Sequence, residues 1–512
     1  MGLAIGGLDR RLGSNMTIPS RGAKWRLVAN FFVLLCAGNA TLAAPVENVV
    51  FILSDDHRFD LMGFMDEAPE WLETPNLDRL AREGAHIENA FVTTSLCSPS
   101  RASILTGQYM HRHRVVDNQR AVPDGTVFFP SYLQNAGIQT AFVGKWHMGH
   151  DDDSARPGFD HWVSFPGQGT YFDPTLNING ERKAFNGYNA DILTSQAVEW
   201  LEKEKDDDKP FLLYLSYKAV HYPFQPAPRH AGRYHGKPIP YPETMANTER
   251  NYQTAPRWVR DRRFSIHGID HMETGAFDND PVPDFDDLYW DFCEAVHSLD
   301  ENVGRVLDHL DEAGLAENTL VLYMGDNGFH LGEHGFYDKR DAYEPSIRVP
   351  MLARAPGLIA AQSVVTPMVQ NIDVASTILE AMGVSMPSNV DPARAMDGKS
   401  FLPLLKGEKV PWRDHILYEY HWEWNFPATP TLFAIRTDRY KYVYHHGVWD
   451  IDAFYDLETD PIERHNLIQV PAYQQQIEEL RDQLFNELET SGALDVPFRR
   501  PAGERLDQRK LD

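Results

Sequence analysis

One cysteine, Cys97, opens the stretch of this 512-residue chain that is richest in potential chemistry, Cys97-Ser98-Pro99-Ser100-Arg101-Ala102-Ser103-Ile104-Leu105-Thr106-Gly107. Pro99 fixes its own φ and disfavours the α conformation in the residue before it, so we expect Cys97 in a turn just before a helix. A helix N-terminus favours negative charge and lowers the pKa of a thiol. Because a lone cysteine is more often a small buried apolar residue, Cys97 alone leaves both interpretations open.

Two pairs of oxygen-bearing side chains follow short apolar runs. Asp55-Asp56 comes just after Asn48–Leu53, and Asp326-Asn327 comes just after Thr319–Met324. An isolated Asp-Asp pair is more often a solvated turn or a helix cap. Four such side chains converging at strand ends would instead suit a hard cation, Ca²⁺ or Mg²⁺ rather than zinc.

Lysine and histidine side chains follow further apolar runs. Lys145 and His147 come after Thr140–Val143, and His221 lies shortly after Phe211–Ser216. Lys339 lies in Gly335-Phe336-Tyr337-Asp338-Lys339-Arg340. A histidine titrates near neutrality and suits proton transfer, whereas an isolated Lys-x-His would more often lie on the surface.

These runs alternate with helical patterns, notably at residues 191–205 and 288–313. Alternating strands and helices predict an α/β fold with a large, mostly parallel sheet covered by helices on both faces. In such sheets functional groups gather beyond the carboxyl ends of the strands. The pattern therefore predicts one site that contains the residues named above.

Composition and hydrophobic patterning divide the chain into three parts, the second of which contains an insertion. Residues 1–43 have the basic, apolar and small-residue order of a signal peptide, with translation starting at Met1 or Met16, so we expect export to the periplasm or the medium. Residues 44–411 are the expected catalytic domain, with an insertion or lid at about 227–286. Residues 412–512 are expected to form a small antiparallel sheet with a closing helix at 472–488, and 455–461 a turn.

Composition argues against some classes of binding partner and against a disulfide-stabilised fold. The formal net charge of −26 argues against nucleic-acid binding and against docking on anionic membranes. An anionic substrate would therefore need a local cationic pocket. Of the three cysteines, export would leave Cys97 and Cys293, too few for a disulfide framework.

The string Cys97-x-Pro99-x-Arg101-x-x-x-Leu105-Thr106-Gly107 matches the signature of the type I, formylglycine-dependent sulfatases, and the chain resembles that family over most of residues 46–470. The resemblance implies the alkaline-phosphatase-like sulfatase fold. It also implies that a formylglycine-generating or anaerobic sulfatase-maturating enzyme converts Cys97 to formylglycine (3-oxoalanine). One Ca²⁺ would be bound by a set of five residues: Asp55, Asp56, Cys97, Asp326 and Asn327.

The same resemblance implies roles for the remaining residues. Lys145 would hold the formylglycine hydrate and a sulfate oxygen, and His147 would take a proton from its second hydroxyl. His221 would protonate the leaving oxygen, Lys339 would bind sulfate, and Arg101 would hold the modified residue in its turn. His57, His330 and His334 could face either the substrate or the core.

The region around the signature looks most like glucosamine-6-sulfatases, heparan endosulfatases and bacterial polysaccharide sulfatases. A sulfated carbohydrate, marine algal polysaccharides included, is therefore the predicted substrate. Arginines of the insertion, among them Arg260, Arg262 and Arg263, and the aromatic Trp422 and Trp424 suit such a ligand, although they could merely solvate a lid or pack in the small domain. The alternatives are a small-molecule aryl or choline sulfatase, a phosphonate or phosphate monoester hydrolase, and a non-catalytic carbohydrate-binding protein.

Overall fold

The computed structural model describes residues 46–149, 151–204, 209–273, 284–386 and 391–495 of the chain. The expected signal peptide and both candidate start sites lie outside these ranges. None of the described helices is long and apolar enough to cross a membrane.

The strands are β1 Asn48–Ser54, β2 Ala85–Ile87, β3 Ala90–Phe91, β4 Gln139–Lys145, β5 His161–Phe165, β6 Thr175–Ile178, β7 Glu181–Ala184, β8 Phe211–Ser216, β9 Thr319–Gly325, β10 Met351–Arg354, β11 Ser363–Val365, β12 Val369–Gln370, β13 His415–Tyr420, β14 Thr431–Thr437, β15 Tyr440–His446 and β16 Ala453–Asp456. The helices are α1 Pro75–Glu83, α2 Cys97–Thr106, α3 Met110–His113, α4 Pro130–Asn135, α5 Asn189–Glu204, α6 Glu249–Tyr252, α7 Arg257–Arg262, α8 Ile269–Glu273, α9 Phe285–Glu312, α10 Glu344–Ile347, α11 Asp373–Ala381, α12 Leu402–Leu405 and α13 Gln474–Ser491.

The large sheet has the strand order β11-β2-β10-β9-β1-β8-β4-β5-β6-β7. Its central strands, β9-β1-β8-β4-β5, are parallel to one another, whereas β10 pairs antiparallel with β9, and β6 pairs antiparallel with β5 and β7. The apolar runs at β1, β8 and β9 are buried along their whole length, as expected for strands covered on both faces. The predicted mostly parallel α/β sheet is confirmed.

Successive residues of β1 divide between two cores, as the two-residue period of a strand requires. Val50 and Ile52 pack in the core that contains α1, α5 and α9. Val49 and Phe51 pack in the opposite core, with α2 and α11. The sheet is therefore held rigidly between two helical layers.

A separate antiparallel sheet, β13-β14-β15-β16, follows the large one. Helix α13 packs Leu480, Leu484 and Leu488 against one face of it, so the predicted small sheet and closing helix are confirmed. The turn expected at 455–461 is wrong at its start, because Ala453–Asp456 pairs with β15 as a strand.

Two local predictions need correction. Helix α2 begins at Cys97 itself rather than after it. Pro99 is tolerated there because backbone N–H groups of a first helical turn have no partner within the helix. At the start of α1, the string Thr74-Pro75 predicts an N-cap at Thr74, but Thr74 makes no capping hydrogen bond; Asp300 of α9 accepts instead from the Leu77 backbone N–H at 2.7 Å.

Candidate active site

The loops that follow the five central strands meet at one edge of the sheet. Asp326 follows β9, Asp55 follows β1, and His221 lies beyond β8. At the end of β4, Gly144 has a φ of 125°, and a Cβ there would lie 1.8 Å from the Ser216 carbonyl oxygen. Glycine therefore lets the loops after β4 and β8 approach closely enough to share a site.

Three buried carboxylates form the centre of this site. Oxygens of Asp55, Asp56 and Asp326 lie within 4.8 Å of one another. Burial, together with the charge of Asp55, raises the pKa of Asp326 to about 7. Burial alone would also raise the pKa of Asp55, but neighbouring cations, Lys145 foremost, hold it well below its ordinary value. Carboxylates this close repel one another unless nearby cations neutralise their charge.

Two oxygens of this cluster have unused acceptor capacity. Among the described residues, Asp56 Oδ2 and Asn327 Oδ1 are buried and accept no hydrogen bond. Asn327 instead donates from Nδ2 to Asp56 Oδ1 at 2.7 Å. Unpaired buried carboxylate and amide oxygens are the ligands that a hard cation prefers, so these residues fit Ca²⁺ or Mg²⁺.

Cys97 lies against the carboxylates. Its Sγ is 3.3 Å from Asp55 Oδ1 and 4.0 Å from Asp56 Oδ1, and the residue is 0% exposed. Burial and the charge of Asp55 raise the pKa of the Cys97 thiol well above its ordinary value. The lowered pKa expected from the helix N-terminus is therefore wrong, because desolvation and a neighbouring anion outweigh the helix dipole.

Two lysines extend to this centre from opposite sides. Lys145 Nζ contacts Asp55 Oδ2 and donates to Gln168 Oε1 at 2.5 Å. Lys339 Nζ contacts Asp56 Oδ1 and lies 2.9 Å from Cys97 Sγ. Burial by itself would lower the pKa of Lys339, but Asp56 raises it above its ordinary value, so this ammonium stays charged.

Arg101 serves the cluster rather than the side chain of Cys97. Its Nε donates to Asp326 Oδ2 at 2.9 Å, and Nη1 donates to Ser216 Oγ at 2.6 Å and to the Lys145 carbonyl at 3.0 Å. The guanidinium thus fixes one carboxylate and joins the ends of β4 and β8. No hydrogen bond between Arg101 and Cys97 occurs among the described residues.

Two imidazoles complete the set. His147 is buried with a φ of 61°, and its Nδ1 has no hydrogen-bond partner among the described residues. His221 Nε2 lies 3.9 Å from Asp56 Oδ2, and its Nδ1 contacts the Tyr222 carbonyl at 2.7 Å, which fixes the ring. Burial, aided by Lys145, lowers the pKa of both histidines well below the ordinary value.

These groups open into a cavity of about 330 Å³. Its lining includes Asp56, His147, His221 and Lys339, together with residues that the sequence did not single out: Asn118, Gln119, Gln168, Tyr222, Ile266, His267, Phe329, Tyr337, Asp338, Arg340 and Phe426. Of these residues, Gln168 could have been predicted from the sequence, because Pro166-Gly167-Gln168-Gly169 forms a turn directly after β5. Lys218 was also missed; burial lowers its pKa to about 8.

The three histidines for which the sequence left a substrate-facing or a core position open pack away from the cavity. His57 contacts the Tyr323 hydroxyl at 2.7 Å and the Leu61 carbonyl at 3.0 Å. His330 Nε2 contacts Asp341 at 2.9 Å, and the His334 ring stacks on Tyr343 at 3.8 Å. None of the three lines the cavity, so each has a structural role in the part of the chain described.

The arginines of the insertion do not form a cationic rim at the cavity. Arg262 and Arg263 are buried in ion pairs, the latter with Asp270 at 2.6 Å. Arg260 pairs with Glu249 at 2.9 Å on the outer surface. Trp422 is partly exposed, but its indole N–H contacts the Pro427 carbonyl. Among the described residues, neither the three arginines nor Trp422 lines the cavity.

Comparison with known proteins agrees with this geometry. Residues 47–384 match the family model for sulfatases, and residues 332–490 match the model for the C-terminal part of N-sulphoglucosamine sulphohydrolase. The chain is 32% identical over 505 residues to the N-acetylglucosamine-6-O-sulfatase of Bacteroides thetaiotaomicron, with 87% of each chain covered. The chain belongs to the sulfatase family. As a sulfatase, it is a sulfuric ester hydrolase.

Two solved structures place this sulfatase among its relatives. One, a protein in complex with its substrate D-glucosamine-2-N,6-O-disulfate, has a TM-score of 0.78 and 29% identity, covering 88% of this chain and 99% of the other. A phosphonate monoester hydrolase from Silicibacter pomeroyi has a TM-score of 0.70 at 22% identity, covering 87% and 95%. The second likeness concerns the fold alone, which is the predicted alkaline-phosphatase-like sulfatase fold.

Proposed function

We propose that this sulfatase removes sulfate from a carbohydrate, using a formylglycine made from Cys97 and one bound Ca²⁺. The observation that carries the proposal is the contact of Cys97 Sγ with Asp55, Asp56 and Lys339 inside one buried cluster. A hydrated aldehyde at Cys97 supplies the nucleophilic hydroxyl that a thiol lacks.

The cation would be held by Asp55, Asp56, Asp326 and Asn327, with the modified Cys97 as a further ligand. The support is the pair of unsatisfied oxygens on Asp56 and Asn327 and the proximity of three carboxylates. When bound, Ca²⁺ supplies charge that polarises the nucleophile and the sulfate oxygens.

The side chains around the cluster divide the remaining tasks. Lys145 and Lys339 hold sulfate oxygens, since each ammonium already contacts a cluster carboxylate. His147 accepts a proton from the second hydroxyl of the hydrate at its unpaired Nδ1. His221 protonates the leaving oxygen, and the negative charge of a bound sulfate ester raises its pKa toward the range that this role requires. Arg101 positions Asp326.

A sulfated amino sugar is the substrate class that we propose. The Bacteroides relative is named for N-acetylglucosamine 6-sulfate, and one solved relative holds a glucosamine disulfate. The cavity suits a sugar because polar side chains such as Asn118, Asp338 and Arg340 stand beside apolar ones such as Phe329. A marine algal polysaccharide is a further sulfated carbohydrate to which the same reasoning extends.

A phosphonate or phosphate monoester is the second candidate substrate. The fold shared with the phosphonate monoester hydrolase supports it. An aryl or choline sulfate is a weaker candidate, because the cavity lining is not uniformly apolar.

The decisive experiment uses protein purified from the native host. Mass spectrometry of the peptide carrying Cys97 is expected to show formylglycine, and ion chromatography is expected to show sulfate release from N-acetylglucosamine 6-sulfate and heparan-derived oligosaccharides. An intact thiol with no sulfate release would refute the nucleophile. Turnover of only phosphonates, aryl sulfates or choline sulfate would refute the substrate.

Export to the periplasm or the medium, with removal of a signal peptide over residues 1–43, is also part of the proposal. Its support is the basic, apolar and small-residue order of that segment. N-terminal sequencing of the protein from the native host is expected to begin near residue 44.

A further inference from the structure

We propose that Arg262, in the 227–286 insertion, is a positioning residue for Lys339 in the active site. This inference rests on the sulfate-binding role proposed for Lys339. It assigns the insertion a part in catalysis that does not require contact with substrate.

Arg262 ties together the two residues that flank the reactive part of the loop after β9. Its Nη2 donates to Asp338 Oδ2 at 2.5 Å, and its Nη1 donates to Asp341 Oδ2 at 2.8 Å. Asp338 immediately precedes Lys339, and Asp341 lies two residues beyond it. One guanidinium therefore fixes the loop on both sides of the lysine.

The insertion also contacts this loop through its backbone and through His267. The Tyr337 N–H donates to the His267 carbonyl at 3.0 Å, and His267 Nδ1 lies 3.1 Å from Asp338 Oδ2. The Arg262 guanidinium lies 4.3 Å from the ring centroid of Phe336. Several independent contacts thus anchor one short segment, Phe336–Asp341, to the insertion.

The small C-terminal sheet region holds the same segment from another direction. Arg340 donates to Glu423 Oε1 at 2.7 Å and lies 3.9 Å from the ring centroid of Phe426. Phe426 in turn stacks against His267 at 4.5 Å. Arg340 also donates to Asp338 Oδ1 at 2.7 Å, so both arginines bind two carboxylates, but only Arg262 of the two is fully buried and binds on both sides of Lys339.

Precise placement matters because Lys339 has several close neighbours. Its ammonium contacts Asp56 and lies 2.9 Å from Cys97 Sγ, so a small shift of the loop would change its distance to any bound sulfate. A planar guanidinium binding two carboxylates is geometrically stricter than an ammonium in the same place. Lysine at position 262 should therefore keep the charge but loosen the loop.

The test compares Arg262→Gln and Arg262→Lys with Arg260→Gln as the matched control. Arg260 lies on the same short helix, α7, but pairs with Glu249 near the surface. Hydrogen exchange of the full-length protein is expected to rise at residues 336–341 in Arg262→Gln, to a smaller extent in Arg262→Lys, and not in Arg260→Gln. Unchanged exchange in that segment would overturn the proposal. This readout does not depend on the substrate.

A double-mutant cycle with Lys339→Ala supplies the catalytic readout, with thermal unfolding recorded for every variant. In the wild-type background Arg262→Gln is expected to lower kcat/KM by about tenfold or more; in the Lys339→Ala background, by less than about twofold. Partial recovery in Arg262→Lys is expected. Equal losses in both backgrounds would overturn the proposal, because Arg262 would then act on overall stability and not through Lys339.

The two readouts separate this inference from the proposed function. Wild-type protein that released no sulfate from any glycan would refute the function, while the exchange data would still decide whether Arg262 holds the loop.

Discussion

At the scale of single residues, His147 and His221 have different surroundings, although a motif search would treat them alike. His147 is buried with an unpaired Nδ1, whereas His221 is partly exposed at the cavity and fixed through Nδ1. The second arrangement leaves Nε2 free to face a departing oxygen. The difference supports the role proposed for His221 at the leaving group, and that role predicts how the effect of removing His221 depends on the leaving group.

His221→Ala is therefore expected to lower kcat for a sugar sulfate by about 10²–10⁴-fold, the usual contribution of a general acid. The loss with 4-nitrophenyl sulfate should be much smaller, since that leaving group departs without a proton. Steady-state kinetics on both substrates provides the measurement. His235→Ala, at an exposed histidine remote from the cavity lining, serves as the control. Equal losses on both substrates would contradict the assignment.

Metal removal tests the carboxylate cluster. Exhaustive dialysis against EDTA is expected to abolish sulfate release and lower the Tm, because Asp55, Asp56 and Asp326 then repel one another. Readdition of Ca²⁺ to about 100 times its Kd should restore about 2.7 kcal/mol of stability. Elemental analysis should find one ion per chain in the wild type and in the surface control Asp66→Asn, and none in Asp56→Asn. Full activity after complete metal removal would contradict the site.

At the scale of elements, His111–Glu419 is one of several buried ion pairs that join the small sheet to the rest of the chain. Both carboxylate oxygens of Glu419 on β13 contact His111 Nδ1, at 3.2 and 3.1 Å, and His111 Nε2 lies 3.2 Å from the Ser491 carbonyl. Both ring nitrogens thus face acceptors, as in a protonated imidazole. Helix α3, which follows α2, is thereby joined to the C-terminal region.

Glu419→Gln is expected to cost about 3–5 kcal/mol of unfolding free energy, the usual effect of breaking a buried pair. Burial opposes both charges, but each partner favours the other, so the pKa of His111 is raised and that of Glu419 is lowered. The carboxylate's contribution is lost as pH falls through its folded pKa, and the imidazolium's as pH rises through its own.

The stability difference between wild type and Glu419→Gln should therefore be largest between about pH 4.3 and 6.5, and should shrink at higher pH. Urea denaturation across pH 4–9 measures it. Glu487→Gln removes an exposed partner of His415 and is expected to cost under about 1 kcal/mol. A difference that grew steadily above pH 7 would contradict the pairing.

Strands that consist of a continuous, fully buried apolar run could be predicted from the sequence. Strands β1, β8 and β9 were found within about a residue because their runs are buried throughout. Strand β5 was missed because it is short and its neighbour β6 pairs antiparallel, so no clear periodicity marks it, and Gln168 was missed with it. Predicting the α1 cap requires knowing that Asp300 lies beside it, which only the tertiary fold reveals.

The site residues divide in the same way, into those with a local sequence signal and those without one. Asp55, Lys145 and His221 were predicted because each follows an apolar run, and Cys97 and Lys339 because their local strings resemble the motifs of the family. The contact of Arg262 with the Lys339 loop and the place of Phe426 were not predicted, because these contacts join segments about 75 or more positions apart in the chain. Long-range ion pairs leave no local sequence signal.

At the scale of the whole molecule, a formal net charge of −26 surrounds a site proposed to bind an anion. Lys145 and Lys339 are buried, so their charges act at short range, whereas the surface field repels a sulfated ligand at long range. The two effects respond differently to salt.

Raising ionic strength from about 10 to about 150 mM is therefore expected to increase kcat/KM for a multiply sulfated oligosaccharide. The Debye length falls from about 30 to about 8 Å, which screens the surface field but not the buried lysines. A monosulfated sugar, measured alongside, should respond less. Initial rates at constant pH test this. A steep fall in kcat/KM with salt would show that a cationic surface guides the substrate instead.

The complete burial of Cys97 and of every other residue in helix α2 sets an order of events in biosynthesis. A maturating enzyme must admit the cysteine side chain into its own active site, and in the folded protein that side chain is enclosed by packed chain. If Cys97 is converted to formylglycine as proposed, the conversion has to precede folding, and the two processes compete in time. A host that folds the chain faster than it modifies it would accumulate well-folded, permanently inactive protein, and adding the maturating enzyme afterwards would not rescue it.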